Sequence, residues 1–92
     1  MTRFKDQVVI VTGSAQGIGK AVALQFGSEG ASVISVDQNI DGAMQTANEC
    51  GNNSVGVQCD IGDPDEVSAL HERVSSEYGK LDVLVNNAAN VP

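Results

Sequence analysis

Residues 8–26 read VVIVTGSAQGIGKAVALQF, an apolar run, a glycine-rich turn and a segment of helical spacing in direct succession. Val8, Val9, Ile10 and Val11 are apolar and β-branched throughout, too few for a helix, and read as a strand covered on both faces, the habit of parallel sheets. Ile18, Val22 and Phe26 then recur at the spacing of one helical stripe, with Ala21 and Ala23 between them. The first amides of a helix have no internal partner and carry the positive end of its dipole. A turn that lets backbone approach closely therefore makes an anion site. A phosphate is the natural occupant.

The alternation continues along the chain. Residues 32–36 form a second apolar run ending in Asp37, residues 41–49 a second helix broken at Gly51-Asn52-Asn53, and residues 54–59 a third strand. A third helix opens with Asp63 as N-cap, Pro64 in the first helical position and Glu66 where a capping-box acid sits. Its stripe is Val67, Leu70 and Val74, Gly79 ends it, and residues 81–85 give a fourth strand. Strands alternating with helices imply an α/β fold with a parallel sheet and right-handed crossovers. The expected architecture is a Rossmann-like, doubly wound sheet of order 3-2-1-4, incomplete, with ligands bound between strands 1 and 4 where the winding reverses.

Composition narrows the function classes. Ninety-two residues allow at most one domain with a modest core. Twelve acids against five bases give a formal charge of -7, and Arg3, Lys5, Lys20, Arg73 and Lys80 are scattered, so no basic stripe could follow a nucleic-acid backbone. No apolar stretch approaches the roughly 18 residues a membrane span needs, and MTRFKDQ has no signal-peptide core. The expectation is a cytoplasmic protein that binds neither nucleic acid nor membrane. Cys50 and Cys59 with a single histidine, His71, cannot assemble a zinc-type ligand set and read as reduced structural thiols.

The turn Gly13-Ser14-Ala15-Gln16-Gly17-Ile18-Gly19 gains meaning from its context, with a strand before it, a helix after it and an acid at the end of the next strand. A mononucleotide P-loop needs four residues between its glycines and then Lys and Ser/Thr. Here five residues separate Gly13 from Gly19-Lys20, and Ala21 has no hydroxyl for magnesium. A dinucleotide fits better. Asp37 can accept hydrogen bonds from both ribose hydroxyls of an adenosine whose pyrophosphate rests on the turn, and it would repel a 2′-phosphate. That favours NAD over NADP, and Gln16 supplies no cation to change the balance.

Four motifs in register, TGSAQGIG at residues 12–19, Asp37, CDI at residues 59–61 and NNAA at residues 86–89, resemble the N-terminal part of a short-chain dehydrogenase/reductase. The resemblance covers essentially the whole chain. It implies that Gly13, Gly17 and Gly19 surround the pyrophosphate, that Ile18 contributes backbone there, that Ser14 and Gln16 belong to the same cofactor-binding turn, and that Asp37 holds the adenosine ribose. It further implies that Asp60 hydrogen-bonds the adenine, that Ile61 packs beside its ring, that Asn86, Asn87 and Ala88 stabilise the central sheet beside the cofactor, and that Ala89 lies at the cofactor near the nicotinamide ribose. The family usually has glycine at the position of Ala89, a place of close backbone approach.

The family's catalytic serine, tyrosine and lysine lie beyond the fourth strand, so the resemblance implies an N-terminal part that is inactive alone. The whole would be an NAD-dependent oxidoreductase acting on a small alcohol or ketone, as a homo-oligomer. Tyr78 and Lys80 are not that catalytic pair. The family's tyrosine and lysine stand four apart on one helix face, whereas these are two apart across Gly79. His71 reads as a solvated helix residue, and Asp63, Asp65 and Glu66 as capping acids. The alternative is a free-standing, non-catalytic nucleotide-binding or interaction module. It is disfavoured because an isolated sheet of this kind would expose an apolar edge and an uncovered face.

Overall fold

In the computed structural model, which describes residues 3–87, β1 (Val8–Thr12) occupies the interior of a four-stranded sheet and is buried at every position. Its β-branched side chains suit a pleated surface packed from above and below. The strand order is β3-β2-β1-β4, with β2 at Ser32–Asp37, β3 at Val55–Gln58 and β4 at Val83–Val85. All pairings are parallel: Val9 lies opposite Val33 on one side and Val83 on the other, and Ile34 opposite Val55. The expected fold and strand order are those observed.

Alternate residues of each strand feed two cores. Val9, Val11 and Val33 pack with Ala23 of α1 (Gly17–Ser28) and Cys50 of α2 (Ile40–Cys50). Val8, Ile10, Ile34, Val36 and Val57 pack with Leu70 and Val74 of α3 (Pro64–Tyr78) on the opposite face. Two helices therefore cover one face and α3 alone covers the other. The winding reverses after β3, and the carboxyl end of β1 becomes the switch point.

Several local expectations change. The buried stripe of α1 is Gly19, Ala23 and Gly27, not the larger residues beside it. Small residues let this helix lie close to its neighbours: a Cβ built on Gly27 would sit 2.8 Å from the Cβ of Cys50. Helix α2 starts one residue early because the Asn39 side chain accepts from the Gly42 amide as its N-cap. The capping box of α3 does not form. Asp63 accepts from the Asp65 amide, whereas Glu66 reaches back to the Asp60 amide at 3.1 Å. β4 begins at Val83, later than expected, and just before it Asp82 pairs twice with Val8, its amide donating to the Val8 carbonyl at 2.9 Å and its Oδ2 accepting from the Val8 amide at 2.7 Å.

Candidate functional site

The glycine turn leaves the carboxyl end of β1 and enters α1, and its three glycines answer three separate demands. Gly13 and Gly17 have φ of 66° and 62°, in the left-handed region open to glycine. Gly19 has ordinary dihedrals but no room, since a Cβ there would lie 2.0 Å from the Gly13 carbonyl oxygen and 2.7 Å from Asn87 Nδ2. Helix and turn thus meet backbone to backbone. Asn87 closes the arrangement from the end of β4, donating its amide to Thr12 Oγ1 at 3.0 Å and its side chain to the Gly13 carbonyl at 3.3 Å. Thr12 Oγ1 also donates to Asn86 Oδ1 at 3.2 Å.

The amino terminus of α1 is bare. Gln16 stands at the N-cap with no capping hydrogen bond from its side chain, and the first turn carries no acid. Helices α2 and α3 differ, with side-chain caps from Asn39 and Asp63 and with Asp41, Asp65 and Glu66 in their first turns. The amides of Gly17, Ile18 and Gly19 fall where a helix has no carbonyl to offer them. Ile18 is 75% exposed, so this end faces outward. Lys20 is engaged with Glu49 at 3.1 Å, so its ammonium is held by a carboxylate of α2.

Across the mouth of the turn, Asp37 ends β2. Its Oδ2 accepts from the Ala15 amide at 3.0 Å and its Oδ1 from the Asn39 amide at 3.0 Å. A carboxylate offers about four acceptor positions, so each oxygen retains capacity for an incoming hydroxyl. Gly13, Val36, Asp37, Gln38, Cys59 and Ile61 line a cleft of about 140 Å³. Three residues expected at one ligand, Gly13, Asp37 and Ile61, therefore converge. A cavity of about 740 Å³ between α2, β3 and Arg73 shares no lining residue with the turn.

Other expected residues are placed differently. Ser14 is fully buried: its hydroxyl lies 2.6 Å from Ser35 Oγ and 3.1 Å from the Val36 carbonyl, and its amide donates to that same carbonyl. It braces the turn from beneath and presents no surface to a ligand. The Asp60 carboxylate turns into its own loop, accepting from the Gly62 amide at 2.9 Å, and does not line the cleft. Ala88 and Ala89 lie outside the described residues. Tyr78 donates its hydroxyl to the Asn53 carbonyl, and Lys80 pairs with Asp82, so both serve structural contacts. Burial, with Glu49 nearby, pushes the Cys50 thiol up to about 11.

The short chain dehydrogenase family model matches residues 7–91. The chain belongs to the short-chain dehydrogenase family. Among curated members it is 43% identical to 3beta-hydroxysteroid dehydrogenase of Mediterraneibacter gnavus, over 99% of this chain and 34% of that protein. D-threitol dehydrogenase of Mycolicibacterium smegmatis is 38% identical over 94% of this chain, again 34% of its own length. The chain therefore spans about a third of the curated relatives it matches. A crystal structure of hydroxysteroid dehydrogenase from Escherichia coli superposes with a TM-score of 0.86 at 36% identity, covering 99% of this chain and 43% of that chain. A structure described as ribose-5-phosphate isomerase from Brucella melitensis 16M gives 0.89 at 33% identity, covering 98% and 34%. Members of one fold can carry different activity names, so the chemistry of a short-chain dehydrogenase has to be argued from the site.

Proposed function

We propose that this chain is the dinucleotide-binding part of an NAD-dependent short-chain dehydrogenase that interconverts a secondary alcohol and its ketone. The supporting observation is that Asp37 accepts from the Ala15 amide of the turn that leads into the bare terminus of α1, and shares a cleft with Gly13 at the start of that turn. The two ends match an adenosine diphosphate, anionic at one side and rich in hydroxyl donors at the other. The bound nicotinamide would supply the hydride acceptor or donor.

The residues present fit that cofactor. Gly17, Ile18 and Gly19 would hold the pyrophosphate through their amides, with Gly13 and Gln16 around it. Asp37 would orient the adenosine ribose, and Ile61 would pack beside the adenine. Asp60, whose Oδ1 accepts from the Gly62 amide, would offer its remaining acceptor capacity to the base. Asn86 and Asn87, with Ala88 and Ala89, would flank the nicotinamide half. NAD is favoured over NADP because a 2′-phosphate would meet the Asp37 carboxylate, and among the described residues no Lys or Arg lines the Asp37 cleft.

Catalytic serine, tyrosine and lysine would come from a longer chain, as would the substrate pocket, so the 92 residues alone would not turn over. The names of the relatives point to steroid or polyol alcohols as substrates. The complete protein is proposed to be a cytoplasmic homo-oligomer. Titration calorimetry with NAD and NADP tests the reading. NAD should bind at least about tenfold more tightly, and Asp37→Ala should weaken it by about 1.5–3 kcal/mol, the worth of hydrogen bonds to a charged group. Equal binding of both nucleotides, or an Asp37→Ala titration that matches the parent, would remove Asp37 from the site. Alcohol-dependent NADH production by the pure chain would refute the predicted inactivity.

A further inference from the structure

Thr46 sits in the middle of α2 with no exposed surface. Threonine is a poor residue for a helix interior, and one that is buried there ordinarily turns its hydroxyl back to the carbonyl four residues earlier. Here the bond leaves the helix. Thr46 Oγ1 donates to the Ser14 carbonyl at 2.8 Å, joining α2 to the glycine turn. Ser14 lies between the two left-handed glycines, Gly13 and Gly17, where the backbone has most freedom to change shape.

Two further contacts press the start of α2 against the same part of the turn. A Cβ built on Gly42 would lie 2.7 Å from the Cβ of Ala15. Asp37 joins the Ala15 amide to the Asn39 amide, one on the turn and one at the N-cap of α2. The floor of the turn is thus pinned by β2 through Ser35 and Val36 and by α2 through Thr46. Its outer half, from Gln16 to Ile18, is exposed.

We propose that Thr46 is a positioning residue for dinucleotide binding, holding the turn through the Ser14 carbonyl in the shape that presents the first amides of α1 to a pyrophosphate. The proposal rests on the dinucleotide reading above. Thr46 touches no ligand itself. Its effect is to keep the turn ready, so that binding does not have to order two flexible glycines.

The test uses the 92-residue chain, labelled for amide exchange by NMR and titrated with NAD. Thr46→Val keeps the branched shape and removes the donor, and Thr46→Ser returns it. Val74→Ala on α3 is the control, a core truncation on the other face of the sheet. Expected is a Kd for NAD raised about tenfold by Thr46→Val and restored to within about threefold by Thr46→Ser, the scale of one hydrogen bond. In Thr46→Val the Ser14 and Ala15 amides should exchange about tenfold faster than in the parent while those of β1 are unchanged, whereas Val74→Ala should leave the affinity of the folded chain unchanged. An unchanged Kd in Thr46→Val, or an equal loss in Val74→Ala, overturns the proposal while leaving the dinucleotide reading standing. If no variant and no parent chain binds NAD, that reading fails and the amide exchange alone decides whether Thr46 braces the turn. A parent chain with unprotected Ser14 and Ala15 amides overturns the brace as well, because the turn, whose amides bond to the Val36 carbonyl and the Asp37 carboxylate, would then not be held in one shape.

Discussion

Gly17 and Gly19 are two residues apart in one turn, yet alanine should be tolerated at one and rejected at the other. At Gly17 a Cβ meets nothing within 4 Å, so the only obstacle is the φ of 62°. A left-handed residue with a side chain costs about 1–2 kcal/mol, partly offset by about 0.4–1 kcal/mol from a stiffer unfolded chain, for a net loss near 1 kcal/mol. At Gly19 the dihedrals are helical and alanine would gain about 0.5–1 kcal/mol in propensity. The obstacle there is the Gly13 carbonyl oxygen, 2.0 Å from the new Cβ. Close carbon-to-oxygen approaches are about 3.3 Å, so α1 and the turn must part by more than 1 Å. That displacement also breaks the contact of Asn87 with Gly13. Overpacking against backbone lies at or above the upper end of the usual 1–3 kcal/mol, so the net loss should be about 2–3 kcal/mol. Urea unfolding of Gly17→Ala, Gly19→Ala and the parent measures both. Equal losses in the two variants, or a loss below about 1 kcal/mol in Gly19→Ala, would show that the close approach of helix and turn is wrong.

Two other outcomes follow from the end of the sheet at β4. The Val8 amide and, less strongly, Lys80 hold the Asp82 carboxyl below the usual carboxylate value. A folded-state pKa below the unfolded one stabilises the fold above the unfolded pKa, and that contribution is lost as pH falls through the folded value. Acid unfolding of Asp82→Asn should therefore lack part of the parent's pH dependence below about pH 4, and superimposable curves would refute the link. On the face covered by α3 alone, Leu84 is 54% exposed and borders a cleft with Ile10, Val67 and His71. Leu84→Gln should reduce concentration-dependent association of the chain in sedimentation without lowering its unfolding midpoint, as expected for an exposed apolar patch. Unchanged association would place the sticky surface elsewhere.

How much of this was legible depended on how local the causes are. The strand order followed from the alternation of apolar runs with helices, because parallel strands admit few connections of the right hand. Gly13, Gly17 and Asp37 were readable because a glycine turn and a strand-end acid state their own backbone needs. The buried stripe of α1 was misread because large apolar residues suggest burial, whereas close packing selected Gly19, Ala23 and Gly27. The role of Ser14 was hidden because its partners, Ser35 and Val36, lie more than 20 residues away and meet it only once β1 and β2 pair. Glu66 occupies capping-box spacing, but the Asp60 amide competes for it across a loop no spacing rule describes. Thr46 carried no signal at all beyond being a poor choice for a helix interior.

The bare start of α1 is the place where a local stability rule is broken, and breaking it can be reversed. The chain has 12 acids, and the first turns of α2 and α3 carry Asp41, Asp65 and Glu66, but that of α1 carries none. Gln16 already has the extended backbone of an N-cap, with φ of -160°, so Gln16→Asp needs no rearrangement to bring a carboxylate to the Ile18 or Gly19 amide. A good cap is worth about 1 kcal/mol, and its charge adds up to about 1 kcal/mol at the positive end of the helix dipole. The variant should therefore be more stable than the parent in the absence of ligand. The same carboxylate would compete with a pyrophosphate for the same amides and repel it, so NAD affinity should fall by at least about tenfold, equivalent to about 1.4 kcal/mol. Stability and binding should move in opposite directions in one substitution. A stabilised chain that keeps its NAD affinity would mean that the amides of α1 are not where the pyrophosphate rests. A chain that is not stabilised would mean that the terminus is already satisfied and the anion site does not exist.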